Sequence, residues 1–146
     1  MEGRWKNVPL PEPHMAGILA SVVLHLIRPW RIAGSKQLYR GAGWTLVGAG
    51  VAISASAVRA ASEVDLERPS TLVSSGPYAI SRNPMYAGWT LLYLGFALIM
   101  RNAWLVASLP AVAGLTHLVV LREEQALEGA FGKNYTRYRK LVRRYL

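Results

Sequence analysis

The chain has 146 residues, 52% of them apolar and 17% charged, with a formal net charge of +9. That length allows one domain, 1–146, and the apolar content is richer than an ordinary soluble domain carries. Cysteine is absent, which excludes disulfides, thiolate metal sites and cysteine nucleophiles, and the three histidines, His14, His25 and His117, are too widely separated to read as a metal site.

The apolar residues come in four blocks, 13–27, 38–61, 84–100 and 103–121. A bilayer core needs about 20 helical residues, so the second and fourth blocks span comfortably while the first and third are short. The expected fold is therefore an all-α integral membrane protein with about four transmembrane helices. Arg4 and Lys6 precede three prolines, and the first block meets Arg28 without a small-residue cleavage site, so this block is expected to be a retained helix.

In the second block Ala52, Ser56 and Ala60 recur every four residues, with Gly50 and Ser54 on an adjoining row. Small residues at this spacing let membrane helices approach closely, and the row reads as a packing face. The loop that follows is polar, with Glu63, Asp65, Glu67, Arg68, Ser70 and Thr71 ahead of a Gly76-Pro77 turn that holds Tyr78 in place. Asn83-Pro84 reads as the N-cap and first turn of the third helix. Arg82 and Tyr86 flank that cap, and free N–H groups at a helix start attract a carboxylate or phosphate.

Pro110 is expected to bend the fourth helix by removing one backbone hydrogen bond near Val106. Beyond it come Arg122, Glu123 and Glu124. Charge at the base of a membrane helix is costly unless paired or facing a wet cavity, which makes Arg122 and Glu123 candidates for a site. Leu127, Phe131, Tyr135, Tyr138, Val142 and Tyr145 then form a helical apolar stripe among basic residues, divided at Gly132, as in a helix lying on lipid headgroups.

Charge orients the chain. With four spans, the N-terminal arm, the long loop and the tail share one side and hold twelve Lys and Arg, against five on the other. The positive-inside rule places both termini in the cytoplasm. Basic residues that flank apolar runs suit an anionic lipid surface rather than nucleic acid.

Two motifs carry a resemblance. Leu72-Val73-x-x-Gly76-Pro77-Tyr78-x-x-x-Arg82-Asn83-Pro84-Met85-Tyr86-x-Gly88, followed by Glu123-Glu124-x-x-Leu127-x-x-x-Phe131-Gly132-x-x-Tyr135-x-x-Tyr138, resembles the isoprenylcysteine carboxyl methyltransferase and phospholipid methyltransferase family of integral membrane enzymes. The likeness covers about the last 85 residues. It implies methyl transfer from S-adenosylmethionine, with S-adenosylhomocysteine as product, to a membrane-embedded or amphiphilic acceptor. It also implies a cofactor pocket at the cytosolic face capped by C-terminal amphipathic helices.

Carried over by position, the resemblance implies that Ser70, Thr71, Leu72 and Val73 line the cofactor and that Tyr78, Asn83, Pro84, Met85 and Tyr86 surround the donor. Glu63 is a further polar candidate. Glu123 and Arg122 would face the methyl acceptor. The physical reading of the residues agrees in kind: tyrosine rings stabilise a sulfonium cation, and a helix start or Arg82 suits a carboxylate. A carboxylate acceptor needs only an Arg, whereas an amine or hydroxyl needs a base such as Glu123.

Departures from the family pattern bear on the acceptor. Asn83 stands where prenylcysteine enzymes usually have His, Ala79 where Arg is frequent, and the tail reads Leu141-Val142-Arg143 rather than Arg-Val-Pro. Acceptor specificity therefore stays open between carboxylate, amine and hydroxyl. A non-catalytic membrane protein that retains the pocket is the alternative. A nicotinamide-dependent reductase is disfavoured by the lack of a Gly-x-Gly-x-x-Gly segment.

Overall fold

The computed structural model describes residues 11–61 and 71–145. Those residues form α1 (Glu12–Ile27), α2 (Lys36–Ala61), a 3-10 turn at Gly76–Ala79, α3 (Pro84–Met100), α4 (Ala103–Phe131) and α5 (Lys133–Leu141). Among them there is no β-strand beyond two isolated bridges. Two helices, α2 and α4, are long and apolar enough to cross a membrane, and α1 and α3 are shorter apolar helices.

The helix ends follow local chemistry. Ser35 Oγ accepts the Leu38 N–H at 3.4 Å at the start of α2, and Asn102 Oδ1 accepts the Trp104 N–H at 3.0 Å at the start of α4. Arg101, in the left-handed region at φ 51°, ends α3 and turns the chain into α4 within two residues. Asn102, fully buried, also donates from Nδ2 to the Ser21 carbonyl at 3.2 Å, so one side chain caps α4 and ties it to α1.

Helices α2 and α3 pack through their backbones. A Cβ placed on Gly95 would sit 2.8 Å from the Gly43 carbonyl oxygen and 2.7 Å from Val47 Cγ2, and one on Gly50 would sit 2.7 Å from the Gly88 carbonyl oxygen. The packing row of α2 is therefore Gly43, Gly50, Ala57 and Ala61, all buried. The expected row of Ala52, Ser56 and Ala60 is not the one used: Ala52 and Ser56 are exposed, and the adjoining Gly50 and Ser54 face α3 instead. The reason lies in the partner, because only the Gly43–Gly50 row meets Gly88 and Gly95 and lets the two backbones touch.

Gly95→Val is accordingly expected to lower stability by about 1–3 kcal/mol through overpacking. Gly41→Ala, where an added Cβ meets nothing within 4 Å, is expected to be neutral or stabilising. Thermal unfolding of both variants in detergent checks this, and equal midpoints would contradict the packing.

Helix α1 lies along α4 through polar contacts in an otherwise apolar layer. Ser21 Oγ and Ser108 Oγ are 2.9 Å apart, Tyr93 Oη is 2.7 Å from Ser108 Oγ, and Tyr93, Ala97, Leu105 and Val112 form the buried core. Outward faces carry exposed Leu19, Leu38, Val51, Phe96 and Leu115. Helix α4 continues through Pro110, whose ring is on the exposed side, and runs on past Leu121 to Phe131. A single separate helix, α5, follows Gly132, which takes a positive φ of 49°.

Candidate active site

At the end of the bundle where α3 begins and α4 finishes, the tail folds back over the loop that precedes α3. The Arg82 N–H donates to the Arg143 carbonyl at 2.9 Å, and Ser81 Oγ and Asn83 Nδ2 donate to the Arg144 carbonyl at 3.2 and 3.1 Å. Tyr138 Oη donates to the Tyr78 carbonyl at 2.6 Å, so α5 is fastened to the 3-10 turn. Tyr135 and Tyr138 are buried, and Leu127 and Phe131 face the same interior. Tyr135 and Tyr138 of the tail stripe are thus turned onto the protein itself, while Tyr145 stays exposed.

A cavity of about 80 Å³ lies under this cap, lined by Thr71, Leu72, Val73, Tyr78, Arg82, Asn83, Leu127, Phe131, Tyr135 and Tyr138. Its walls are the 71–73 stretch, three tyrosines, a phenylalanine, Leu127, Asn83 and one arginine. Burial, with the nearby Glu123 charge adding to it, pushes the Tyr78 hydroxyl up to about 12, and burial also raises that of Tyr138. Both are neutral donors across the physiological range.

One charge cluster organises the floor. Arg82 Nη2 lies 3.2 Å from Glu124 Oε1 with both side chains 7% exposed, and Arg82 Nη1 donates to Tyr135 Oη at 3.4 Å. From the tail, Arg144 Nε and Nη2 donate to Glu124 Oε1 and Oε2 at 3.0 and 2.9 Å, a bidentate pair. Arg82 Nε is buried and has no hydrogen-bond partner among the described residues. A buried N–H of a guanidinium beside a cavity is a donor waiting for an acceptor.

Next to the cavity, Tyr86 Oη donates to Glu123 Oε1 at 2.8 Å. Tyr86 is held from behind: Thr90 Oγ1 donates to the Tyr86 carbonyl at 2.8 Å, so the His14 Nε2 found 3.1 Å from that hydroxyl is the protonated nitrogen and donates to it. α1 is thus tied through Thr90 to the Tyr86 backbone, and the Tyr86 hydroxyl of α3 holds the Glu123 carboxylate of α4.

The sequence-derived candidates divide as follows. Thr71, Leu72, Val73, Tyr78, Arg82 and Asn83 line the cavity together. Glu63 and Ser70 lie outside the described residues. Pro84, Met85 and Tyr86 are buried in the first turn of α3 and do not line the cavity, Tyr86 being engaged with Glu123. Arg122 and Glu123 part company: Arg122 is exposed and lines a separate groove between α1 and α4. Asn83 occupies the N-cap position but its side chain makes no cap hydrogen bond; its Nδ2 donates to the Arg144 carbonyl.

Sequence reasoning named Glu124, Leu127, Phe131, Tyr135 and Tyr138 only as motif positions without a role in the site, and gave no role to Ser81 or Arg144. Glu124 offered a signal, being a second carboxylate at a depth where an unpaired charge is costly; Arg144 offered none. Among the described residues no three His, Asp or Glu side chains come together as a metal site would require.

Comparison with known proteins bears on the whole arrangement. The family profile for phospholipid methyltransferase matches residues 39–134. No match was found among curated proteins or among solved structures. The matched stretch runs through most of α2, the 3-10 turn, α3 and α4 into the start of α5, so it contains Arg82, Glu124 and the Tyr86–Glu123 pair, while Tyr135, Tyr138 and Arg144 lie beyond it. On this match over more than half of its length, the chain belongs to the phospholipid methyltransferase family, methyltransferases of lipid-like substrates associated with membranes.

Proposed function

We propose that this protein transfers a methyl group from S-adenosylmethionine to a lipid-like acceptor at the cytosolic face of a membrane. The observation that carries the reading is buried Arg82, which lines an aromatic cavity and keeps its Nε without a hydrogen-bond partner among the described residues, with the Tyr86–Glu123 pair nearby. Four helices would span, with both termini and the cavity on the cytoplasmic side, which holds the greater share of Lys and Arg. At the opposite end, Trp30 and Trp104 meet edge to face at 5.1 Å and Trp104 Nε1 donates to the Arg28 carbonyl at 2.9 Å. Aromatic and basic residues together are the composition of a membrane boundary.

The residues present suit the cofactor chemically. Arg82 Nε would donate to its carboxylate, and the rings of Tyr78, Tyr135 and Phe131 would face a cation, an arrangement worth about 0.5–2 kcal/mol for each well-placed ring. Leu72, Val73 and Leu127 supply apolar surface for a base. The cavity formed by the described residues is smaller than the roughly 300–1,000 Å³ of typical ligand sites, so it must widen to admit a nucleoside such as S-adenosylmethionine. Thr71, at the rim, directly follows the 62–70 segment, which contains the further candidates Glu63 and Ser70.

S-adenosylmethionine supplies an electrophilic methyl on sulfur, and its transfer leaves a neutral thioether. The protein's part is mainly positional. Arg82 and Asn83 orient the donor, the aromatic walls exclude water, and Glu123 accepts a proton from an amine or hydroxyl acceptor. Tyr86 fixes the carboxylate that does so. Arg122, pointing elsewhere, is not placed to hold a carboxylate at Glu123.

Calorimetric titration of the detergent-purified protein with S-adenosylmethionine is expected to show saturable one-to-one binding that Arg82→Met abolishes. Incubation with labelled donor and membrane lipids is expected to place the label in a lipid fraction. Folded protein that bound no donor would overturn the reading, and binding without methyl transfer to any lipid would favour a non-catalytic role.

A further inference from the structure

The end of the bundle opposite the cavity carries charge of one sign only. The chain's eight Asp and Glu all lie outside residues 13–62 and 68–122. Within those stretches fall the two turns of this end, from α1 to α2 and from α3 to α4, with Arg28, Arg31, Lys36, Arg40 and Arg101 on or beside them. Arg101 is used internally, its Nε and Nη2 donating to the Ile32 carbonyl at 3.0 and 2.6 Å. Arg28, Arg31, Lys36 and Arg40 are exposed, and among the described residues none of the four takes part in an ion pair. A face that meets only water mixes both signs of charge, and this one does not.

The four cations stand on a fixed layer. The Ile32 N–H donates to the Arg101 carbonyl and the Ala103 N–H to the Trp30 carbonyl, both at 2.9 Å, so the first turn is strapped to the second. Tyr39 Oη donates to the Ala33 carbonyl at 2.9 Å and ties the start of α2 to the same strap. Next to the cations in the chain, Leu26 and Ile27 are each 76% exposed and Leu38 is 69% exposed. Apolar side chains this bare call for hydrocarbon around them, which sets the neighbouring cations at the depth of lipid phosphates. Trp30, half exposed, is the residue type of that boundary.

We propose that this end of the protein binds anionic phospholipid, with phosphodiesters on Arg28, Arg31, Lys36 and Arg40 and acyl chains against Leu26, Ile27 and Leu38. The lipid held here is a structural partner and not the methyl acceptor, because the cavity and Glu123 lie at the other end of the bundle. The proposal needs a membrane around the helices and does not need methyl transfer. Guanidinium forks match phosphate oxygens. Four unpaired cations with no carboxylate among them favour a headgroup of net negative charge over a zwitterion, whose ammonium they repel. Bound anions also offset the cost of keeping these cations on the side that the positive-inside bias disfavours.

The test uses the full chain in phosphatidylcholine nanodiscs that contain a trace of phosphatidylglycerol with a photoreactive headgroup. Label is expected to concentrate on peptides within residues 26–40, to be competed by unlabelled phosphatidylglycerol but not by phosphatidylcholine, and to fall as salt rises. Arg28→Gln, Arg31→Gln, Lys36→Gln and Arg40→Gln are each expected to weaken this labelling by up to about fivefold. Changing Lys133, Arg137, Lys140 and Arg143 together to Gln removes as much charge from the tail and should leave the 26–40 label in place. The pattern of label and competition in the unmutated protein needs no variant to fold. Label spread evenly over both ends, equal competition by phosphatidylcholine, or displacement by excess inorganic phosphate, which would make the patch a site for free anions, would overturn the proposal. None of these results touches the methyltransferase reading, and a protein that bound no S-adenosylmethionine would still be expected to hold this lipid.

Discussion

Glu124→Gln is expected to lower stability by about 3–5 kcal/mol, because it leaves Arg82 buried without a counter-charge. Glu124 and Arg82 are both 7% exposed and 3.2 Å apart, and Arg144 closes the same carboxylate from the tail. The amide can offer one oxygen but no charge, and its NH2 would face a guanidinium. At roughly 2–4 °C per kcal/mol the midpoint should drop by about 10 °C. The tail should also loosen, since Arg144 loses its bidentate partner while the Arg143 and Arg144 carbonyls keep their bonds to Arg82, Ser81 and Asn83.

The comparison that isolates the cause is the double variant Arg82→Met with Glu124→Leu. Removing both buried charges together should restore much of the midpoint, while donor binding stays lost because Arg82 Nε is gone. Thermal unfolding in detergent with parallel donor titration reads both outcomes. A single variant within 1 kcal/mol of the parent protein would show that the cluster is solvated and not a buried network.

Glu123→Gln is expected to behave in the opposite way: stability and donor affinity held, turnover lowered by about 10²–10⁴. The amide oxygen can still accept from Tyr86 Oη, now 2.8 Å from Glu123 Oε1, so the local geometry has a reason to persist. What disappears is the site for the acceptor proton. Tyr86→Phe should cost less, about tenfold, through misorientation of a carboxylate that remains able to act as a base. Single-turnover methyl transfer under saturating donor separates these from binding effects. Full activity in Glu123→Gln would mean that the acceptor arrives already deprotonated, as a carboxylate would.

The pair Glu123 and Glu124 shows why the site was only half legible in sequence. Adjacent residues on a helix project about 100° apart, so one carboxylate reaches Tyr86 on α3 while the other turns to Arg82 and Arg144. The same rotation carries Arg122 into the groove beside Glu12, although it directly precedes Glu123. Likewise Pro84, Met85 and Tyr86 follow the cavity residue Asn83 without joining it, because the first turn of α3 buries them against the bundle. A motif read as a string lists these positions side by side and carries no information about the angle between them.

The sequence by itself determined the apolar blocks, and hence an all-helical protein, together with the Leu72–Gly88 and Glu123–Tyr138 motifs and the family they point to. These are local properties: hydropathy, turn chemistry and residue spacing along one stretch of chain. The tertiary structure alone decided which row of small residues in α2 packs, since several rows look alike until Gly88 and Gly95 are set opposite one of them. It also decided that Tyr135 and Tyr138 of the tail face inward, because the alternative partner, a lipid surface, satisfies the same amphipathic pattern. Only the folding of the tail onto residues 78–83 brings Arg144 to Glu124, a contact across 20 residues that no periodicity encodes.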